Sequence, residues 1–99
     1  MTLRQRQPRV KDNKHLAWIR EQPCVICGDD TTVEAAHIRV GSLPHAKPHT
    51  GMAEKPSDQW VLPLCGKHHR EQHACGDELK WWYSKGFDPF ILAIQMRSR

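Results

Sequence analysis

Residues 62–73 read Leu62-Pro63-Leu64-Cys65-Gly66-Lys67-His68-His69-Arg70-Glu71-Gln72-His73, and upstream stands Cys24-Val25-Ile26-Cys27-Gly28. The first stretch carries a Cys-x2-His pair and the second a Cys-x2-Cys pair. Tetrahedral zinc takes four nitrogen or sulfur ligands from two such pairs. A glycine beside each pair suits a knuckle, where the backbone turns sharply close to the metal. Cys24, Cys27, Cys65 and His68 are therefore the expected structural zinc ligands. Four cysteines could instead form two disulfides in a secreted scaffold, but this spacing favours metal, and Cys75 is left as a spare thiol.

Outward from the pairs, local patterns give the remaining elements. Asn13 is the expected cap of a short helix with Leu16, Ile19 and Trp18 on its inner side, ended by Pro23. Residues 31–38 (Thr-Thr-Val-Glu-Ala-Ala-His-Ile) read as a strand and Gln59-Trp60-Val61-Leu62 as a second, with Pro63 near its end. The simplest pairing is an antiparallel hairpin across a loop from Arg39 to Ser57. Nineteen residues is long for a loop in a small domain, and such loops usually carry function. Residues 66–74 then form a helix starting at the zinc pair. Asp77 caps another that turns Leu79, Trp82 and Trp81 inward and stops at Gly86. Asp88-Pro89 opens a last helix burying Phe90, Ile91 and Ile94.

With 99 residues, 38% of them apolar, and a mean hydropathy of −0.70, one small domain is the natural size of the folded part. No apolar run approaches the ~20 residues of a membrane span, and no apolar core of a secretory signal opens the chain, so a cytoplasmic setting is expected. Residues 1–20 carry Arg4, Arg6, Arg9, Lys11, Lys14 and Arg20 against Asp12, whereas the rest is close to neutral. Residues 1–12 read as a basic arm before a single domain at 13–99, with a zinc core at 23–74 and C-terminal helices at 77–98. Such an arm fits a polyanion, and DNA is the expected partner. The Trp81-Trp82-Tyr83 cluster reads as core, with at least two rings buried, although a protein-interaction anchor is the competing use.

His69 and His73 stand one helical turn apart and can chelate one divalent ion. His37 ends the first strand, and a strand–strand–helix unit pinned by zinc is expected to bring it toward them. A neutral imidazole opposite a helix-bound ion is what phosphodiester hydrolysis requires: the base takes a proton from water while the ion offsets charge on phosphate and leaving oxygen.

Together, Cys24-x2-Cys27, Ala36-His37-Ile38 and Leu62-Pro63-Leu64-Cys65-x2-His68-His69-x3-His73 resemble the HNH endonucleases, in particular their compact zinc-knuckle phage and prophage branch. The resemblance covers about half the chain and implies a small α+β fold, a ββα-metal finger within a zinc-bound, treble-clef-like unit with flanking helices. It implies His37 as general base and His69 and His73 as ligands of a catalytic Mn²⁺ or Mg²⁺. Where that family has an acidic or histidine ligand before the base, this chain has Ala36, and its middle asparagine would fall near Trp60. Asp58 is the closest polar candidate: it could brace His37, replace the missing ligand, or start the strand, and Glu34 is a weaker substitute ligand. Arg39 is the expected phosphate clamp. The expected function is thus a metal-dependent DNA endonuclease, nicking or cleaving, acting as a monomer or weak dimer. The alternative is a non-catalytic zinc-stabilised nucleic-acid-binding module.

Overall fold

A computed structural model describes residues 10–42 and 57–98. Most of the basic arm, most of the long loop and Arg99 lie outside the described residues. The elements run α1 (Asn13–Arg20), β1 (Val33–His37), β2 (Val61–Cys65), α2 (Gly66–Cys75), α3 (Glu78–Ser84) and α4 (Pro89–Arg97). The protein is thus a small α+β fold with a two-stranded sheet and four helices among the described residues. No helix among them is long and apolar enough to cross a membrane.

The strands pair antiparallel, in the register Val33↔Cys65, Ala35↔Pro63 and His37↔Val61. The second strand lies further along than its sequence indicates, at 61–65 rather than 59–62, and Pro63 sits in its middle. A proline fits there because of which way its backbone faces. The bonds Ile38 N–H to Trp60 O (2.8 Å) and Gly66 N–H to Thr32 O (3.0 Å) show that even-numbered residues of β2 turn their backbone groups toward β1. Pro63 turns outward, so its missing N–H removes no ladder bond.

Every residue of β2 is buried. The main core joins Ala36, Ile38, Trp60, Leu62 and Leu64 to Trp81 and Trp82 of α3 and Phe90 and Ala93 of α4. Trp82 is fully buried, with Trp81 edge-on at 5.0 Å between ring centroids. Tyr83 is exposed, so two of the three rings are core, as so small a chain requires. α1 lies against both strands, with His15 and Ile19 buried; Leu16 and Trp18 are not fully covered.

Side-chain caps set the helix starts. Asp12, not Asn13, caps α1, accepting the His15 N–H at 3.0 Å. Asp77 caps α3 through Lys80 N–H, and Asp88 caps α4 through Phe90 and Ile91 N–H. In α4 the buried residues are Pro89, Phe90 and Ala93, while Ile91 is exposed and Ile94 half-buried. The inner face is rotated from the expected one: Ala93 lies one turn from Phe90 on the same side, whereas Ile91 lies about 100° round the helix from Phe90.

Candidate metal and histidine site

The first turn of α2 and the knuckle after α1 meet at the end of β2. Cys24 Sγ lies 3.8 Å from His68 Nδ1, Cys27 Sγ 3.8 Å from Cys65 Sγ, and Cys65 Sγ 3.2 Å from His68 Nδ1. All four ligand atoms fall within 4.8 Å of one another. Two sulfurs about 2.3 Å from a tetrahedral ion lie roughly 3.8 Å apart, and a sulfur and a nitrogen roughly 3.6 Å. The cluster therefore forms a potential metal site of the size and donor chemistry of structural zinc. Gly28, at φ +79°, closes the knuckle by donating its N–H to Cys24 O at 2.8 Å. Burial alone raises the Cys24 thiol pKa, but the amides of Cys65, Cys27 and Ile26 aimed at its sulfur outweigh that and hold it below the ordinary thiol value. At Cys27 the Asp29 amide favours the thiolate, yet burial and the sulfurs of Cys65 and Cys24 together push the thiol up. Cys75 is exposed and stands outside the cluster, its Sγ 3.7 Å from Asp77 O.

His69 and His73 project from α2 with Nε2 atoms 3.2 Å apart and ring centroids at 4.8 Å. Nitrogens about 2.05 Å from one ion lie roughly 2.9 Å apart at a right angle and roughly 3.4 Å at the tetrahedral angle, so the observed separation fits a shared ion. Glu34 reaches across from β1, its Oε1 2.6 Å from His69 Nδ1.

His37 belongs to a different group. Its Nε2 lies 2.9 Å from Asp58 Oδ1. Asp58 is 1% exposed, and its Oδ2 accepts the Asp12 N–H at 2.8 Å. The Asp58 N–H in turn donates to Val10 O, and the Val10 N–H to Ser57 Oγ. Of the three uses open to Asp58 from sequence, the geometry is that of a brace on His37. The root of the basic arm is thereby tied to the residue that holds the histidine, which no spacing in the sequence signalled.

The histidines expected to form one constellation form two. Side chains alternate along a strand, so Glu34 and His37, three residues apart, leave β1 on opposite faces. No hydrogen bond among the described residues joins His37 to His69 or His73. Arg39 stands two residues after His37, and its N–H and that of Val40 donate to the Glu78 carboxylate at 3.0 Å each. Glu78, at the first turn of α3, thus fixes the chain where it leaves β1. Sequence reasoning missed this contact, because an acidic residue after a capping aspartate usually serves only its own helix.

Over 73 residues, 74% of this chain, the sequence is 40% identical to the uncharacterized protein YdfU of Escherichia coli (strain K12). The match covers 19% of YdfU, so this chain corresponds to a small part of that relative's length. No solved structure matches the chain. Residues 1–97 match the family described as a protein of unknown function, DUF968. This corrects the assignment drawn from the cysteine and histidine spacing: neither the matched family nor the relative is named as an HNH endonuclease, and short metal-ligand spacings recur wherever a knuckle meets a helix. The match spans nearly the whole chain, and the protein belongs to the DUF968 family.

Proposed function

We propose that this chain is a zinc-stabilised, metal-dependent nuclease hydrolysing DNA phosphodiester bonds, with His37 as its general base. The observation that carries the reading is the His37–Asp58 pair. A carboxylate only accepts hydrogen bonds, so His37 carries its hydrogen on Nε2 and keeps the Nδ1 lone pair for a proton. Asp58 is buried and doubly bonded, which fixes the ring as a base requires, and the His37 side chain itself is 26% exposed. A water proton passes to Nδ1 as the water oxygen attacks phosphorus, and the bond from phosphorus to the leaving oxygen breaks.

His69 and His73 would hold a divalent ion, which when bound offsets negative charge on the phosphate and leaving oxygen. β1 is an edge strand of a two-stranded sheet. A DNA strand laid across that edge would meet His37 on one face and the α2 histidines on the other. In this reading β1, β2 and α2 act as a ββα-metal finger on a structural zinc. Arg39 and the basic residues of 1–12 supply the phosphate contacts, which position the strand without reading its sequence.

The test is nicking of supercoiled plasmid by the zinc-loaded full chain with Mn²⁺, Mg²⁺ or EDTA. His37→Ala should lower the rate by roughly 10²–10⁴-fold with DNA binding kept, and Mn²⁺ should surpass Mg²⁺ because imidazole ligands favour it. DNA binding without metal-dependent cleavage would leave a nucleic-acid-binding module and end the nuclease reading.

A further inference from the structure

Glu34 does more than decorate an edge strand. We infer that it is a positioning residue for the α2 metal site, holding His69 in the tautomer that turns Nε2 toward the ion. This rests on the reading that His69 and His73 share a divalent cation.

The geometry is specific. Glu34 Oε1 is 2.6 Å from His69 Nδ1, short enough for a charge-assisted bond. Since the carboxylate accepts, the hydrogen lies on Nδ1, and Nε2 is left with its lone pair. That lone pair faces His73 Nε2 at 3.2 Å. Without metal, the His73 N–H can donate into it; with metal, both nitrogens turn lone pairs to one ion. The carboxylate thus selects the form of the histidine ring that keeps Nε2 free to ligate. Because Nδ1 and Nε2 lie on different sides of the ring, Glu34 sits behind His69, in the place of the carboxylates that orient metal-bound histidines. Its role here is therefore not that of the replacement ligand expected from its place before Ala36.

Two backbone features keep this contact in place. Glu34 pairs with Leu64, just before Cys65 and the start of α2, so the zinc cluster fixes the strand and helix relative to each other. A Cβ on Gly66 would stand 3.4 Å from Glu34 Oε2 and 3.1 Å from Arg70 Nη1. The bare glycine leaves room for both side-chain ends above the first turn.

The experiment compares zinc-loaded wild type, Glu34→Ala, Glu34→Gln and His73→Ala. Mn²⁺ binding is followed by the electron paramagnetic resonance of free Mn²⁺, and the His69 tautomer by long-range ring ¹H–¹⁵N NMR without Mn²⁺. Glu34→Ala should weaken Mn²⁺ binding about 10–100-fold and move the His69 hydrogen to Nε2. Zinc content and thermal unfolding should stay at wild-type values, since the Glu34 side chain is 52% exposed. Glu34→Gln keeps an acceptor carbonyl and should restore the tautomer and most of the affinity. Wild-type Mn²⁺ binding and an unmoved tautomer in Glu34→Ala would overturn the inference while leaving the metal site standing. If wild type bound Mn²⁺ no better than His73→Ala, the shared-ion reading would fall, and the inference with it.

Discussion

Replacing Asp58 by Asn exchanges one oxygen for an NH2 group and changes almost nothing in shape. The Asp12 N–H, 2.8 Å away, is a backbone donor that cannot become an acceptor, so the oxygen of the new amide must face it. The NH2 group is then left facing His37 Nε2, 2.9 Å from the position of Oδ1. Two donors cannot share that distance, so His37 must move its hydrogen to Nδ1 and offer Nε2 as acceptor. Both hydrogen bonds survive but lose the ionised acceptor, which lowers each from about 1.5–3 to about 0.5–1.5 kcal/mol. The expected loss in stability is about 2 kcal/mol in total. The loss in function is of another order: Nδ1 no longer has a lone pair, and cleavage should fall roughly 10²–10⁴-fold. Urea unfolding measures the first effect, plasmid nicking the second, and ring ¹⁵N shifts the tautomer itself. An Asp58→Asn protein that nicks at the wild-type rate with hydrogen on His37 Nδ1 would refute the reasoning.

Cys24→Ser, or chelation of the wild type, should leave the chain without a cooperative thermal transition, because structural zinc supplies about 10–16 kcal/mol of binding free energy in zinc-finger peptides; near-native melting of metal-free protein would exclude a structural ion. Asp88→Ala removes the acceptor for the Phe90 and Ile91 amides and should cost about 1 kcal/mol in urea unfolding, with Asp88→Ser recovering most of it. Glu71 has its pKa lowered, first by the Lys85 ammonium and then by the Trp81 indole N–H. It therefore adds stability above its unfolded value, and that contribution disappears as pH falls through the lowered folded value. Glu71→Gln should lower thermal stability most in the neutral region and converge on the wild type at acid pH, so that this part of the acid limb flattens.

The features legible in the sequence were those with local chemistry. The four residues of the potential metal site could be read because a metal would impose its spacing on short peptides, and the Asp77 and Asp88 caps because each acts within three residues. Strand bounds were harder. β2 is buried on both faces, so Val61 to Cys65 show no alternation, and Pro63 reads as a breaker until its backbone is known to face away from the partner strand. Asp12 displaced Asn13 as a cap because both types cap equally well and only the path of the arm past Asp58 decides between them. Glu34–His69, Asp58–His37 and Glu78–Arg39 each join residues more than twenty apart, and no periodicity encodes such contacts. The same limit applied to the histidines: spacing placed them on the right elements but did not show which face of β1 His37 would occupy.

The outward edge of β2 has a consequence for how the protein is lost. Pro63 offers no N–H there, and its carbonyl is already taken by the Val25 N–H of the Cys24–Cys27 knuckle at 3.1 Å. An incoming strand from another molecule finds neither a donor nor a free acceptor at the centre of that edge. Half of this protection belongs to the proline and is permanent; the other half depends on the knuckle staying folded over the strand. Loss of an ion held by the Cys24, Cys27, Cys65 and His68 cluster would release Val25 and leave the flanking Val61, Leu62 and Leu64 beside an accessible carbonyl. Metal loss should thus turn the chain adhesive before it is fully unfolded, so that precipitation, rather than a reversible unfolded state, is the end point of chelation.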